Sequence, residues 1–388
     1  MHRIDLQEGL DLFQNAQLHA LKNKAQSVRF EKNPSKAVSF ILDTNPNYTN
    51  LCVADCTFCS FYRKKGAKDG YTKTIDEVMA SFDLARRSGI TTVLLQGGLH
   101  PDLPLEYYIK LVETARERYP EINAHFYSAP EIYHICTLYN LTYKELFQKL
   151  YAAGQRSFPG GGAEILSERV RRRISRKKMA EGAWIEIHRA AHQVGIRSTA
   201  TMMYGHIETA QDILEHLEAI RTLQDETGGF TAFIPWSYKR IGNPLGRRVK
   251  SWAGEEAYLR LISFSRLYLD NFDHIQASWF SEGRDIGVKA LNYGADDFGG
   301  LVLEEQVHKA TDFINKTHYD NIIDMIHQSG YDAVQRDTFY NILNSYPQGT
   351  KPSEADKEKH AGQYLFTDTE HVPVISTDPA TSKQTASV

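Results

Sequence analysis

From residue 37 to residue 279 the chain repeats one unit: a short apolar, β-branched run, a loop, then an amphipathic stretch with apolar positions at helical spacing. The pattern predicts strands at 37–42, 91–95, 122–127, 155–158, 197–203, 230–234 and 274–279. Helices are predicted between them at 75–88, 105–118, 143–153, 179–194, 210–226 and 255–270. Strands alternating with helices build βαβ units and a parallel sheet. With an eighth strand at 297–302, this many units fit a barrel, partial or full, better than an open sheet. The active sites of such barrels lie at the C-terminal ends of the strands. Apolar positions Leu10, Leu12, Phe13, Ala16, Leu18 and Leu21 at helical spacing over 7–24 predict a helical N-terminal segment. The organisation expected is a helical segment 1–36, a barrel 37–303, a helical region 304–376 and a polar, disordered tail 377–388.

The loop after the first strand holds Cys52, Cys56 and Cys59, three of only four cysteines in the chain. A cubane iron–sulfur cluster held by protein alone takes four thiolates. Three leave one iron open to a small molecule, so the triplet reads as a reactive site. A disulfide would leave an odd cysteine. A zinc site wants a fourth ligand, and its cysteines usually come as separated pairs. Cys136 stands apart and reads as a buried structural thiol.

A net charge of −3 lacks the basic excess that marks nucleic-acid or membrane affinity. No apolar run reaches the roughly 18 residues of a spanning helix. Acidic residues near the N-terminus stand where a signal peptide would be apolar. A reducing cytoplasm is the compartment expected, and it suits thiolate ligands.

Polar and glycine-rich motifs follow the other strands. Gln96-Gly97-Gly98 follows the second, where glycine lets backbone approach a ligand or make a tight turn. Ser128 follows the third, as a helix cap or a ligand contact. Gly160, Gly161, Gly162 and Glu164 follow the fourth; such a glycine run is costly in entropy and suggests close contact with a cofactor. Tyr204, His206 and Glu208 follow the fifth, each able to move a proton, although a lone His is more often structural. Trp236, Trp279 and Phe280 end the sixth and seventh, as cavity walls or as core.

The triplet with Phe58 before its last cysteine resembles the signature of radical S-adenosylmethionine (SAM) enzymes. The ordered set of segments resembles, more narrowly, the cyclic dehypoxanthinyl futalosine synthase family of the futalosine route to menaquinone. That set comprises Asn47-Tyr-Thr-Asn50, Gln96–Pro101, Ser128–Ile132, Pro159–Leu166, Ala200–His206, Phe233–Trp236 and Gly294–Gly300. The resemblance implies a radical SAM TIM-like (βα) barrel with helical N- and C-terminal extensions, a [4Fe-4S] cluster on Cys52, Cys56 and Cys59, and SAM. It implies SAM contacts from Phe58, Tyr62, Gln96, Gly97, Gly98, Ser128 and Glu164, and a proton acceptor among His206, Tyr204 and Glu208. It implies dehypoxanthinyl futalosine as a small-molecule substrate whose benzoate would meet Arg63, Lys239 or Arg240. An electron donor such as flavodoxin or ferredoxin is implied too, with no nucleic-acid or membrane partner. Sister families, the aminofutalosine and deazaflavin-cofactor synthases, share much of the pattern. The chain departs from it at Ile174-Ser-Arg176-Lys-Lys178, with Arg in place of Pro, and at Ser237–Leu245.

Overall fold

The computed structural model describes residues 2–250, 253–301, 304, 307, 309–311 and 317–360. Parallel strands buried on both faces read as continuous apolar runs, and every strand expected from such a run is present. The first is β1 (Ala37–Ile41), followed after one residue by β2 (Asp43–Thr44), β3 (Thr92–Leu95), β4 (Asn123–Phe126) and β5 (Ser157–Phe158). Then come β6 (Arg197–Tyr204), β7 (Phe230–Ser237), β8 (His274–Ile275) and β9 (Asp297–Gly300). β2 to β8 form a seven-stranded parallel sheet in chain order.

Both edges of that sheet continue into β1 and β9. The chain runs from β1 into β2 at one edge, and a parallel bridge joins Gln276, just past β8, to Asp297 of β9 at the other. β9 pairs in parallel with β1, Ser39 opposite Asp297, and so carries the strands round to their start. Helices Leu105–Arg118 and Tyr143–Ala153 fall where the periodicity puts them. The run expected to be a strand to residue 279 instead turns into a short helix, Trp279–Glu282.

The N-terminal segment is helical but broken. Leu6–Asn15 and Leu18–Lys32 are separate helices because Ala16 is extended, and Arg260 takes the freed carbonyls of Phe13 and Ala16 at 3.1 and 2.7 Å.

The region beyond 303 corrects the helical expectation. Helix Tyr319–Gln328 is followed by two strands, β10 (Asp332–Arg336) and β11 (Ile342–Tyr346), before helix Glu354–Lys359. β10 lies parallel to β1, Ala37 opposite Asp332, and antiparallel to β11. Its residues alternate too briefly to show a period, and its partner is 295 residues away in the chain. Residues 302, 303 and 361–388, the expected tail among them, lie outside the described residues.

The turn between β10 and β11 closes the barrel's N-terminal end. Thr338 Oγ1 lies 2.6 Å from Thr92 Oγ1 and accepts from Asn123 Nδ2 at 2.9 Å, both at strand starts. Tyr340, at φ 66°, stacks on His274 with ring centres 3.6 Å apart. Arg336 Nε donates to buried Asp297 at 2.5 Å.

Candidate active site

The cysteine loop is built by backbone bonds, not by regular structure. Cys52 N–H donates to Arg63 O at 2.9 Å, Val53 N–H to Leu99 O at 3.1 Å, and Cys59 N–H to Cys56 O at 3.2 Å. Asp55, at φ 41°, turns the chain between the first two cysteines. All three thiols are unbridged and pack with Ala54 and Leu99. Ala54 N–H donates to Cys52 Sγ at 3.4 Å, the kind of bond that tunes a cluster sulfur. Burial pushes the Cys56 thiol up to about 12, against the pull of Lys178, and raises Cys59.

Among the described residues no three His, Cys, Asp or Glu side chains converge on a point where one metal ion would sit. Mononuclear zinc needs such convergence. A cubane does not, because each thiolate takes its own iron. The donor set fits a cluster with one open iron.

Gly97 and Gly98 hold the second strand end against this loop. A Cβ on Gly98 would lie 2.2 Å from Leu51 O and 2.9 Å from Cys52 Cβ, and one on Gly97 would strike the Tyr48 ring at 2.7 Å. Glu131 ties the turn in place. Its Oε1 accepts from Tyr48 Oη at 2.7 Å and Gly97 N–H at 3.1 Å; its Oε2 accepts from the Ser128 N–H and hydroxyl at 2.7 and 2.6 Å. Ser128 thus caps helix Ala129–Tyr139 while remaining on the cavity wall.

Glu164 sits at φ 46° and is buried against Lys178. Burial pushes its carboxyl up, but Lys178 and Arg171 outweigh that and hold it below the ordinary range. The Lys178 ammonium lies 5.3 Å from the Phe58 ring centre. The three glycines before Glu164 have protein neighbours: a Cβ on Gly160 would lie 2.2 Å from Thr199 O, and one on Gly162 the same distance from Pro130. The run is therefore needed for backbone packing, and Gly161 and Gly162 also face the cavity.

These elements enclose a cavity of about 370 Å³. All three cysteines line it, and so do Phe58, Tyr62, Gln96, Gly97, Gly98, Ser128 and Glu164. Asn47, buried in the same wall, has an Oδ1 that accepts no hydrogen bond, an opening for a ligand donor. At the N-terminal end of the strands the lining turns to Thr92, His125, Thr231, Arg336, Thr338 and Tyr340. His125 bonds Ser157 at 2.7 Å, and burial lowers it to about 3, so it is neutral.

The expected proton acceptors are elsewhere. Tyr204, His206 and Glu208 do not line the cavity. Tyr204 Oη donates to Glu282 at 3.2 Å and its ring stacks on Tyr258. His206 lies between Met203 O, at 3.0 Å from Nε2, and Ile207 N–H, which donates to Nδ1 at 2.8 Å; burial lowers its pKa. Glu208 accepts from the backbone N–H groups of Gly205 and His206. The three form the turn after β6. Nor do the expected carboxylate partners reach the cavity. Arg63 pairs with Asp69 and caps the carbonyls of Ser60, Phe61 and Tyr62. Lys239, lowered by burial to about 8, donates to Ser237 and Ser281 O. Arg240 donates to Lys250 O. Asp43, Lys178 and Arg336 are the charged wall residues that sequence reasoning missed. Lys178 had one signal, its place in a segment that departs from the family pattern.

Residues 47–220 match the family model of the radical SAM superfamily, and residues 227–348 match that of the CofH/MqnC C-terminal region. The chain is 38% identical over 344 residues to a cyclic dehypoxanthine futalosine synthase of Streptomyces coelicolor, covering 88% of this chain and 86% of that one. It is 38% identical over 345 residues to an aminodeoxyfutalosine synthase of Thermus thermophilus, covering 87% and 92%. The crystal structure of methylornithine synthase superposes with a TM-score of 0.65 at 18% identity, over 85% of this chain and 94% of that one, which speaks for the fold alone.

Proposed function

The chain belongs to the radical SAM superfamily, whose enzymes use a [4Fe-4S] cluster and SAM, and from that premise we propose that it cyclises dehypoxanthinyl futalosine in menaquinone biosynthesis. One observation carries the reading: every cofactor contact implied by the cyclase-like segments lines a single cavity, which continues to the N-terminal end of the strands at Thr92, His125 and Arg336.

Cys52, Cys56 and Cys59 would hold the cluster, and Gly97, Gly98, Asn47, Ser128 and Glu164 would form the SAM face. Together the two groups would supply radical chemistry at C4′ of the substrate, leading to closure of that carbon onto the benzoate ring. The residues' task is to fix the reacting carbons and exclude water. Glu131 does the first at one remove, by pinning the Gly97 turn against Tyr48. Glu164, kept ionised by Lys178, presents a carboxylate to hydroxyl donors. Apolar wall residues Ile41, Leu94, Ile234 and Trp236 keep water from the radical.

Ring closure leaves a radical that would give up one electron to the oxidised cluster and one proton to Asp43, a carboxylate on the wall. It stands on the wall opposite Gly300, where a Cβ would lie 2.1 Å from Asp43 Oδ1. Arg336 offers the substrate a donor: Nε serves Asp297, Nη1 serves Asp337 O at 2.9 Å, and Nη2 has no bond among the described residues. Asp297 already neutralises its charge, so Arg336 orients an oxygen more than it attracts an anion.

The test is an anaerobic assay of the reconstituted enzyme with SAM, dithionite and dehypoxanthinyl futalosine, read by mass spectrometry. The expected result is cyclised product with 5′-deoxyadenosine, both lost in Cys56→Ala. Deoxyadenosine without cyclised product refutes this substrate. Turnover of the aminodeoxyfutalosine synthase substrate would establish the second reading, which equal identity to that relative favours.

A further inference from the structure

The interior of a parallel barrel is ordinarily filled by bulky apolar side chains. β4 departs from this: Asn123 and His125, two residues apart, stand on one face of the sheet, and His125 lines the cavity while only 6% exposed. No metal, cofactor contact or proton transfer described above uses it.

The two ring nitrogens of His125 are in different situations. Nδ1 lies 2.7 Å from Ser157 Oγ on β5. Nε2 has no hydrogen-bond partner among the described residues, yet it is not sealed into the packed interior as the unpaired Nε2 atoms of His188 and His216 are. It faces the cavity. The neighbouring side chains fix which nitrogen holds the proton. Asn123 Nδ2 donates to Ser157 Oγ at 2.8 Å and to Thr338 Oγ1 at 2.9 Å, which uses both its hydrogens. The buried Ser157 hydroxyl must place its own hydrogen, and among the described residues its one acceptor is His125 Nδ1. In a neutral imidazole one nitrogen accepts and the other donates. Nδ1 therefore accepts and Nε2 carries the hydrogen. Burial, with Arg336 nearby, keeps the ring uncharged.

The surrounding charges decide what such a donor can hold. Arg336 is paired with Asp297, and Asp43, opposite Thr92 in the sheet, is the other charged side chain at this end of the wall. One cation against two carboxylates repels a ligand carboxylate and leaves an uncharged oxygen undisturbed. We propose that His125 is a specificity-determining residue whose Nε2–H donates a hydrogen bond to an uncharged oxygen, carbonyl or hydroxyl, of the substrate. Asn123 and Ser157 are positioning residues that hold the ring in this tautomer. A buried donor of this kind selects against any analogue lacking the oxygen, because the donor is then left unpaired. The assignment deepens the reading of this cavity as the site of dehypoxanthinyl futalosine and rests on it.

The test measures binding of dehypoxanthinyl futalosine and, separately, of SAM to the reconstituted holoenzyme by equilibrium dialysis, without reductant so that nothing turns over. His125→Asn keeps an acceptor for Ser157 at the Nδ1 position but has no atom at the Nε2 position; His125→Gln returns an amide N–H there. His125→Asn should bind the substrate about tenfold more weakly, the effect of one hydrogen bond, with SAM affinity unchanged. His125→Gln should recover most of the loss. On the wild type, histidine-selective 15N NMR, with His125 identified by its absence from the Gln variant, should show the Nε2–H tautomer and a shift on adding substrate but not SAM. An Nδ1–H tautomer, or wild-type substrate affinity in His125→Asn, overturns the proposal. So does a loss that His125→Gln leaves unrepaired, or one shared equally by SAM. A wild type that binds no dehypoxanthinyl futalosine refutes the substrate reading and this assignment with it, whereas unweakened binding by His125→Asn refutes the assignment alone.

Discussion

Replacing Gly98 with alanine separates the needs of the fold from those of the site. Gly98 does not occupy the left-handed region, so alanine is allowed by its backbone angles. The obstacle is contact: the new Cβ would stand 2.2 Å from Leu51 O. Relief requires a shift of about 1 Å before the pair reaches ordinary van der Waals separation. Leu51 cannot move alone, because Cys52 N–H is bonded to Arg63 O and Gly98 N–H to Thr49 O. The displacement therefore reaches the first cluster thiol. Overpacking of this kind costs about 1–3 kcal/mol, and the reduced freedom of the unfolded chain returns about 0.4–1 kcal/mol. A net loss of roughly 1–2 kcal/mol leaves a chain of this size folded. A reacting group misplaced by about 1 Å, in contrast, costs about a hundredfold in rate. Gly98→Ala should unfold at slightly lower guanidinium concentration than wild type and cleave SAM about a hundredfold more slowly. Gly182→Ala, at a helix position with nothing within 4 Å, serves as the control: it should gain up to about 1 kcal/mol in stability and cleave SAM at the wild-type rate. Wild-type SAM cleavage by Gly98→Ala would refute the claim that this close approach positions the cluster loop.

Glu131 provides a pH signature. Burial pushes its carboxyl up from 4.5 to about 7 despite its donors, so between these values the folded state binds the extra proton and stability rises as pH falls. The slope from this group should approach about 1.4 kcal/mol per pH unit in denaturant titrations and vanish in Glu131→Gln; an unchanged slope would show that another group sets it. Glu131→Gln should also cost about 1–3 kcal/mol, since its amide would face the Ser128 donors unpaired. Asp43→Asn should form 5′-deoxyadenosine at the wild-type rate but at least about tenfold less cyclised product; parallel loss of both would remove Asp43 from the role of base. Arg336→Met strands the buried Asp297 carboxylate and should lower stability by about 3–5 kcal/mol in chemical denaturation, with Arg336→Met/Asp297→Asn recovering part of it.

The fold was legible where local pattern and tertiary burial agree. Helix 105–118 was readable because its apolar positions repeat on one face and that face is the one the barrel covers. The cluster loop was readable because three thiols at such spacing have few other uses. The misplacement of Tyr204 has a different cause. Side chains alternate along a strand; Thr199 and Thr201 line the cavity, so residue 204 falls on the outer face, against Tyr258. Proximity to a strand end was visible in the sequence, whereas the parity that decides direction needed the register. Arg336 and Tyr340 were illegible for another reason. Arg336 ends a strand defined by pairing with β1 and Tyr340 lies in the turn that follows it, and nothing local in 332–346 announces a partner so distant.

The pairing of Ala37 with Asp332 also sets a clock. At about 5–20 residues per second of synthesis, β1 waits about 15–60 s after leaving the ribosome before β10 exists to cover its flank. Once β9 is made, and until β10 follows, β1 presents an unpaired edge, and such edges invite pairing with other chains. A chain stalled near residue 330 should aggregate even though every cluster ligand and every SAM-facing glycine is already present.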